Sequence, residues 1–411
     1  MTFREKRLDN GLEIVAECNE NAYSTALGFF VNAGSRDETS ENSGVSHFLE
    51  HMTFKGTPKR SAADVNRELD EIGSQSNAYT SEEQTVYYAT VLPEYQTDAV
   101  DLLTDIMRPS LRQDDFDTEK KVILEEILRA EDQPPYGAFE RCMEAYFGDH
   151  PLGNTVLGTT ESVTALTPDA MRDYFQSRYS PGNLTLVAAG NVDFDGLVKQ
   201  VEALCGEWPS YEAKRPVPTV TPRSDFVAMT KEASAQEYVV QIAQGPDATD
   251  PQRFANRVLA SIIGDDTGSR FYWELVDKGL SEYAGMGPYE FEGAGISLTY
   301  LCCNPDAIDQ NLSIVRNIHQ KIQSEVVTQD ELELAKAKIC SQLVRQAERP
   351  SSRLFSVGNG WLQRHSYSTI QERLERYEAV SIDDIRSLLD RFPLTSPATV
   401  CIGPLDDVAA P

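Results

Sequence analysis

Positive charge is scarce in this chain: 37 Lys and Arg stand against 65 Asp and Glu, a net charge of −28. That balance excludes the broad basic surface on which nucleic acid or an anionic membrane would bind, and it favours basic or neutral peptides over acidic ones as partners. No run of eighteen apolar residues occurs, so no membrane-spanning helix is expected. Cysteine is sparse and unpatterned. The seven residues Cys18, Cys142, Cys205, Cys302, Cys303, Cys340 and Cys401 are odd in number and lack C-x-x-C spacing. Neither a disulfide framework nor a cysteine metal site is expected, and reduced thiols in a cytoplasm are. The opening residues MTFREKRLDNGLEIVAEC have no apolar signal core and no Arg/Ser-rich presequence. A turn at Asp9-Asn10-Gly11 leads directly into a strand at 12–17, so neither secretion nor organelle import is expected.

Histidine is rarer still, with five residues in 411, yet two of them fall together. The stretch 46–56, SHFLEHMTFKG, places His47, Glu50 and His51 in the spacing H-x-x-E-H. On a helix, positions i, i+3 and i+4 share a face, which here carries two imidazoles one turn apart and a carboxylate between them. Two such imidazoles can grip one Zn²⁺ and leave the carboxylate free to move a proton. The flanking Phe48, Leu49, Met52 and Phe54 predict a buried helix. A catalytic zinc needs a third protein ligand. The stretch 118–134 reads as a helix with an apolar stripe of Val122, Ile123, Ile127 and Leu128. Glu119 and Glu126, two turns apart on one face, are the acidic residues on that stripe. A carboxylate placed there needs a partner, and a metal would supply one.

These residues resemble the pitrilysin family of inverzincin zinc metallopeptidases, the mitochondrial processing peptidase among them. The resemblance rests on the inverted motif at 47–51 followed by Glu126, and on NAYTSEEQTVYY (77–88), HPLGNTVLGT (150–159) and RYSPGNLTLVAAGNVD (178–193). It implies that His47, His51 and Glu126 hold the zinc, that Glu50 is the general base and that Glu119 supports the ligands from behind. It further implies that Asn77, Ala78 and Tyr79 lie on an edge strand that pairs with an extended peptide, and that Tyr283 helps to hold the substrate and the developing oxyanion. Family members often carry an arginine seven residues before that tyrosine; this chain has Val276 there.

A chain of 411 residues is too long for one ordinary core, so two domains are expected. The proline-rich segment 208–225 predicts a linker, which gives a zinc-binding domain at 1–215, a linker at 216–222 and a second domain at 223–411. The second half echoes the first. SRFYWELVDKG (269–279) lines up with SHFLEHMTFKG, with Arg270, Trp273 and Glu274 in place of His47, Glu50 and His51. A later helical stretch, 333–350, echoes 119–134 with Gln342 in place of Glu126. The reading is an internal duplication whose second copy has lost every metal ligand. Strands and clustered helices without regular βαβ alternation predict an α+β fold, with two similarly folded domains, each a sheet carrying helices mainly on one face.

The expected activity is zinc-dependent hydrolysis of peptide bonds in unfolded peptides or small proteins bound in extended form, with no cofactor beyond Zn²⁺. Two alternatives stand beside it: a catalytic subunit active only with a related partner chain, and a non-catalytic scaffold of the same fold. The family encloses its site with four domains of this kind and the chain supplies two, so a homodimer is expected, or a heterodimer with a related chain.

Overall fold

In the computed structural model, which describes residues 1–410, the chain forms two compact units. The first half runs β1 (Thr2–Arg7), β2 (Glu13–Cys18), β3 (Thr25–Val31), α1 (Val45–Thr53), α2 (Ala62–Glu71), β4 (Gln75–Thr80), β5 (Thr85–Val91), α3 (Gln96–Ile106), α4 (Gln113–Asp132), α5 (Ala138–Phe147), α6 (Thr160–Ala165), α7 (Pro168–Arg178), β6 (Leu184–Gly190) and α8 (Phe194–Cys205). The second runs β7 (Phe226–Thr230), β8 (Glu237–Gln244), α9 (Arg253–Gly264), β9 (Tyr283–Phe291), β10 (Ala294–Cys303), α10 (Ile308–Glu325), α11 (Gln329–Ala347), α12 (Pro350–Arg364), α13 (Ile370–Glu378), α14 (Ile382–Arg391) and β11 (Ala398–Gly403).

The first unit is built on a six-stranded sheet of order β1-β2-β6-β3-β5-β4. It is antiparallel except where β2 runs parallel to β6. Every residue of β3 and β6 is buried, because both faces of the sheet are covered. Side chains alternate across a strand. Leu27, Phe29 and Val31 therefore join the main core with Phe48 and Leu49 of α1. Ala26 and Phe30 turn the other way and meet Leu354, Val357 and Trp361 of α12. The second unit repeats the plan with a five-stranded sheet, β7-β11-β8-β10-β9. One face packs on α9 and α10, and the other on Ala138, Cys142, Met143 and Tyr146 of α5.

The duplicated α+β architecture expected from the sequence is the one observed. Its division into contiguous domains is not, because the two units exchange segments. The first comprises Met1–Leu128, Asn154–Pro216 and Arg345–Ser368, and the second Arg129–Gly153, Val217–Val344 and Thr369–Pro411. Each sheet gains its second cover from a helix of the other half of the chain. A helical period shows that α5 and α12 bury an apolar face; it carries no information about which sheet they cover. At α12 the approach is close enough that a Cβ on Gly358 would lie 2.3 Å from the Phe30 ring, so a larger residue would force that buried ring to shift.

A buried ion pair seats α12. Arg353 Nε donates to Glu17 Oε1 at 2.7 Å, its Nη2 meets Glu17 Oε2, and the Tyr367 hydroxyl donates to that same oxygen at 2.7 Å. Glu17 and Arg353 are 2% and 4% exposed, so deleting one partner strands the other without water. Arg353→Ala is expected to lower stability by roughly 3–5 kcal/mol, whereas the double replacement Glu17→Gln, Arg353→Met loses less. Denaturant midpoints of the three proteins check this; a single variant no weaker than the double would refute it.

The metal-motif helix begins at Val45, directly after Gly44 at φ 88. Two smaller expectations are corrected. On α4 the buried residues are Phe116, Glu119, Ile123 and Ile127. Val122 and Leu128 are 46% and 45% exposed, since at 100° per residue they fall on either side of that stripe. Strand β1 was not anticipated: its charged run Arg4-Glu5-Lys6-Arg7 reads as solvated, and those charges guard a sheet edge. Among the described residues no helix is long and apolar enough to cross a membrane.

Candidate metal centre

Helix α1 is buried except for the face carrying Glu50 and His51. Its start is built without a side-chain cap of its own. Gly44 holds the left-handed conformation, and a Cβ there would lie 2.6 Å from the Leu157 carbonyl oxygen. The unsatisfied amides are taken by Glu38, whose two carboxylate oxygens accept from the backbone N–H groups of Gly44 and Ser46, each at 2.7 Å. Burial pushes the Glu38 carboxyl up to about 8, opposed by those hydrogen bonds and by the helix dipole, both of which favour its charged form.

One turn into this helix, His47 and His51 bring their rings to 4.7 Å between centroids. Across from them α4 presents Glu126, whose Oε2 lies 3.9 Å from His47 Nε2 and 3.8 Å from His51 Nε2. The three donor atoms fall within 4.8 Å of one another, the only such group of three or more His, Cys, Asp or Glu among the described residues. Bonds of about 2.0–2.2 Å in a tetrahedral site separate neighbouring ligand atoms by roughly 3.3–3.6 Å, so a small inward closure would seat an ion. The two-nitrogen, one-carboxylate donor set fits zinc. Burial lowers the His47 imidazole to about 4, with His51 adding to the effect, so His47 is neutral and able to ligate. Its Nδ1 is buried without a hydrogen-bond partner.

His51 is oriented from behind. Its Nδ1 lies 2.9 Å from Glu119 Oε1, and Lys55 Nζ lies 2.6 Å from Glu119 Oε2. Burial acts to depress the His51 imidazole, but Glu119, Glu50 and Glu126 outweigh it and raise the pKa. Burial likewise acts to raise Glu119, but His51 and Lys55 hold it below the ordinary carboxylate value. A carboxylate on the far nitrogen of a ligating histidine selects the tautomer and aims the ring.

Glu50 lies on the ligand face outside the donor group. Its Oε2 accepts from Thr80 Oγ1 at 2.7 Å, and burial raises its pKa above the usual value, with Glu126 adding to the rise. Thr80 ends β4, the outer strand of its sheet. Asn77 on that strand is exposed, while Ala78 and Tyr79 are half-buried. Unlike β1 at the opposite edge, β4 carries no charge to guard it. Asn77 Oδ1 accepts the N–H of Ala78 at 2.9 Å. Tyr283 is the first residue of β9 in the second unit. It is 45% exposed, and burial, followed by Asp266 and Asp265, raises its phenol pKa. Sequence reasoning singles out neither Lys55 nor Glu38; it places Thr80 on the substrate strand after Asn77, Ala78 and Tyr79 but not its contact with Glu50. Lys55 falls one turn after His51, a spacing that could have flagged it, whereas the Glu38 contact has no local signature.

In the second unit the echo of the metal helix shortens to a π-helical turn, Tyr272–Val276. Arg270, at the place of His47, pairs with Glu331, Nε to Oε1 at 2.8 Å, and Trp273, at the place of Glu50, is 54% exposed. Val276 packs against the second core.

Residues 13–160 match the family model described as Insulinase (Peptidase family M16), and residues 165–339 match the Peptidase M16 inactive domain. A protein of Streptomyces coelicolor named an uncharacterized zinc protease is 32% identical over 100% of this chain and 91% of its own length. One of the same description from Bacillus subtilis is 30% identical over 96% of this chain and 97% of its own. Among solved structures, a protease from Helicobacter pylori has a TM-score of 0.90 at 21% identity, covering 98% of this chain and 99% of the other. A Pseudomonas fluorescens structure described as a peptidase M16 inactive domain reaches the same TM-score at 17% identity, covering 100% of this chain and 99% of the other.

Proposed function

This chain belongs to the insulinase family of peptidases, family M16, and from that membership we propose that it is a zinc-dependent endopeptidase acting on unfolded peptides held in extended form. The observation that carries the reading is the convergence of His47, His51 and Glu126, with Glu50 beside them and outside the donor set. Those three residues would hold the zinc, which when bound polarises a carbonyl and acidifies water. Glu50 takes the proton of the attacking water and delivers it to the leaving amine. Burial of its carboxyl favours proton uptake and suits that task. Glu119 and Lys55 keep His51 aimed at the metal position. A scaffold that only kept the fold would have no need of this set.

Binding is assigned to the uncharged outer edge of β4. An extended peptide can add there as a further strand, its backbone supplying the affinity. Asn77, Ala78 and Tyr79 line that edge, and the amide now capped by Asn77 is one donor a substrate carbonyl would take over. Tyr283 is assigned to the oxyanion side, where a raised phenol pKa keeps it a hydrogen-bond donor. The seven unpaired cysteines support a reducing compartment, the cytoplasm.

Val276 favours a second reading, in which the chain works as one member of a pair. An aliphatic side chain packed on a core cannot supply the cation that family members often place there. We therefore expect a dimer, a C₂ homodimer by default or a heterodimer with a related chain. Light scattering of the pure protein, followed by a peptide-cleavage assay on each species before and after chelation, tests both readings. A strictly monomeric species with full zinc-dependent activity would exclude a required partner; a homodimer without activity that a related chain rescues would select the hetero-pair.

A further inference from the structure

We infer that Thr80 is a positioning residue that locks the base to the strand on which the substrate lies; the inference rests on the peptidase reading above. The bond itself is short and well placed, Thr80 Oγ1 to Glu50 Oε2 at 2.7 Å. It engages one carboxylate oxygen, and Glu50 Oε1 has no hydrogen-bond partner among the described residues. The terminal torsion of a glutamate is broad and roughly two-fold, so a carboxylate without such a donor swings freely. Holding Oε2 fixes where Oε1 points.

The place of the donor gives the bond its meaning. Side chains alternate along β4. Tyr79 turns to the face of α12, where its ring lies 6.0 Å from that of Phe355 and its hydroxyl accepts from Gln84 Nε2 at 2.8 Å. Ser76, Ala78 and Thr80 share the other face, toward α1, and residues 76 and 78 are small. Thr80 pairs across the hairpin with Thr85, whose own hydroxyl donates to the Ala33 carbonyl at 3.0 Å. The Thr80 hydroxyl is thus anchored through the sheet and reaches the helix that carries the base. Threonine suits the position, because its β-branch limits χ1 to few rotamers. A peptide that adds along β4 then takes its register from the same strand that orients Glu50. Shifting β4 by two residues would move substrate and donor together.

Thr80→Val keeps shape and β-branch and deletes the donor; Thr80→Ser keeps the donor. With the zinc-loaded protein and an unstructured reporter peptide, Thr80→Val is expected to lower kcat by about 10–100-fold, the scale of a misaimed catalytic group. KM should change little, because the edge backbone is intact. Thr80→Ser should recover most of the loss, and both variants should still bind one zinc. A readout independent of turnover is the crystal structure of each chelated variant: the Glu50 carboxylate should leave its place in Thr80→Val and keep it in Thr80→Ser. Unchanged kcat in Thr80→Val, an equal loss in Thr80→Ser, or an unmoved Glu50 would each overturn the assignment. A wild-type chain that binds zinc and cleaves no peptide would instead overturn the peptidase reading, and with it the catalytic meaning of this bond, while the crystallographic comparison would still decide whether Thr80 holds Glu50.

Discussion

Glu50→Gln should bind one zinc, fold as the wild type does and turn over peptide about 10²–10⁴-fold more slowly. The size is that of a general acid–base group in hydrolysis. Glutamine matches glutamate in shape and can still accept the Thr80 hydroxyl through its amide oxygen, so the bond at 2.7 Å need not be lost. It cannot take a proton from water. The donor atoms of His47, His51 and Glu126 are untouched, which separates this variant from any that lose activity by losing metal. Steady-state kinetics with a reporter peptide, run beside metal analysis of the same sample, decide the matter. Activity within a few-fold of wild type would remove Glu50 as the base.

His51→Ala should lose stoichiometric zinc and, with it, all zinc-dependent activity. His51 contributes one of three donor atoms grouped within 4.8 Å. It is also the ligand that Glu119 orients at 2.9 Å. Disturbing such an orienting partner alone costs about 10–100-fold in metal affinity, so removing the ligand itself should cost more. The deletion leaves Glu119 facing Lys55, a pair already at 2.6 Å, so the fold has no newly unpaired buried carboxylate to contend with. Unchanged zinc content after dialysis would show that the metal, if bound, lies elsewhere.

These two variants concern residues that were legible in the sequence, and the reason is local. His47, Glu50 and His51 sit within two turns of one helix, where spacing alone dictates a common face. Glu126 and Glu119 could be nominated as carboxylates on one face of α4, but their two roles came from resemblance rather than from the helix. Only the folded geometry sets Glu126 about 3.8–3.9 Å from two imidazoles and Glu119 behind one of them. The contacts of Thr80 with Glu50 and of Glu38 with α1 were illegible because they join segments with no shared period. Thr80 reaches a helix thirty residues earlier in the chain. Glu38 reaches across a loop to the start of α1. The exchange of α5 and α12 between the units was hidden for a related reason. An amphipathic helix declares that it must be covered; tertiary packing chooses the partner. The exposure of Val122 was misread because it adjoins Ile123 in sequence while lying 100° away on the helix.

The central claim is that this chain holds one zinc ion between α1 and α4. The most direct measurement is a crystal structure of the zinc-loaded protein with anomalous data collected on both sides of the zinc absorption edge. A single strong anomalous peak bonded to His47 Nε2, His51 Nε2 and one Glu126 oxygen, at about 2.0–2.2 Å, is the predicted result. A peak at other residues, or none in a protein that folds normally in the presence of zinc, would contradict it.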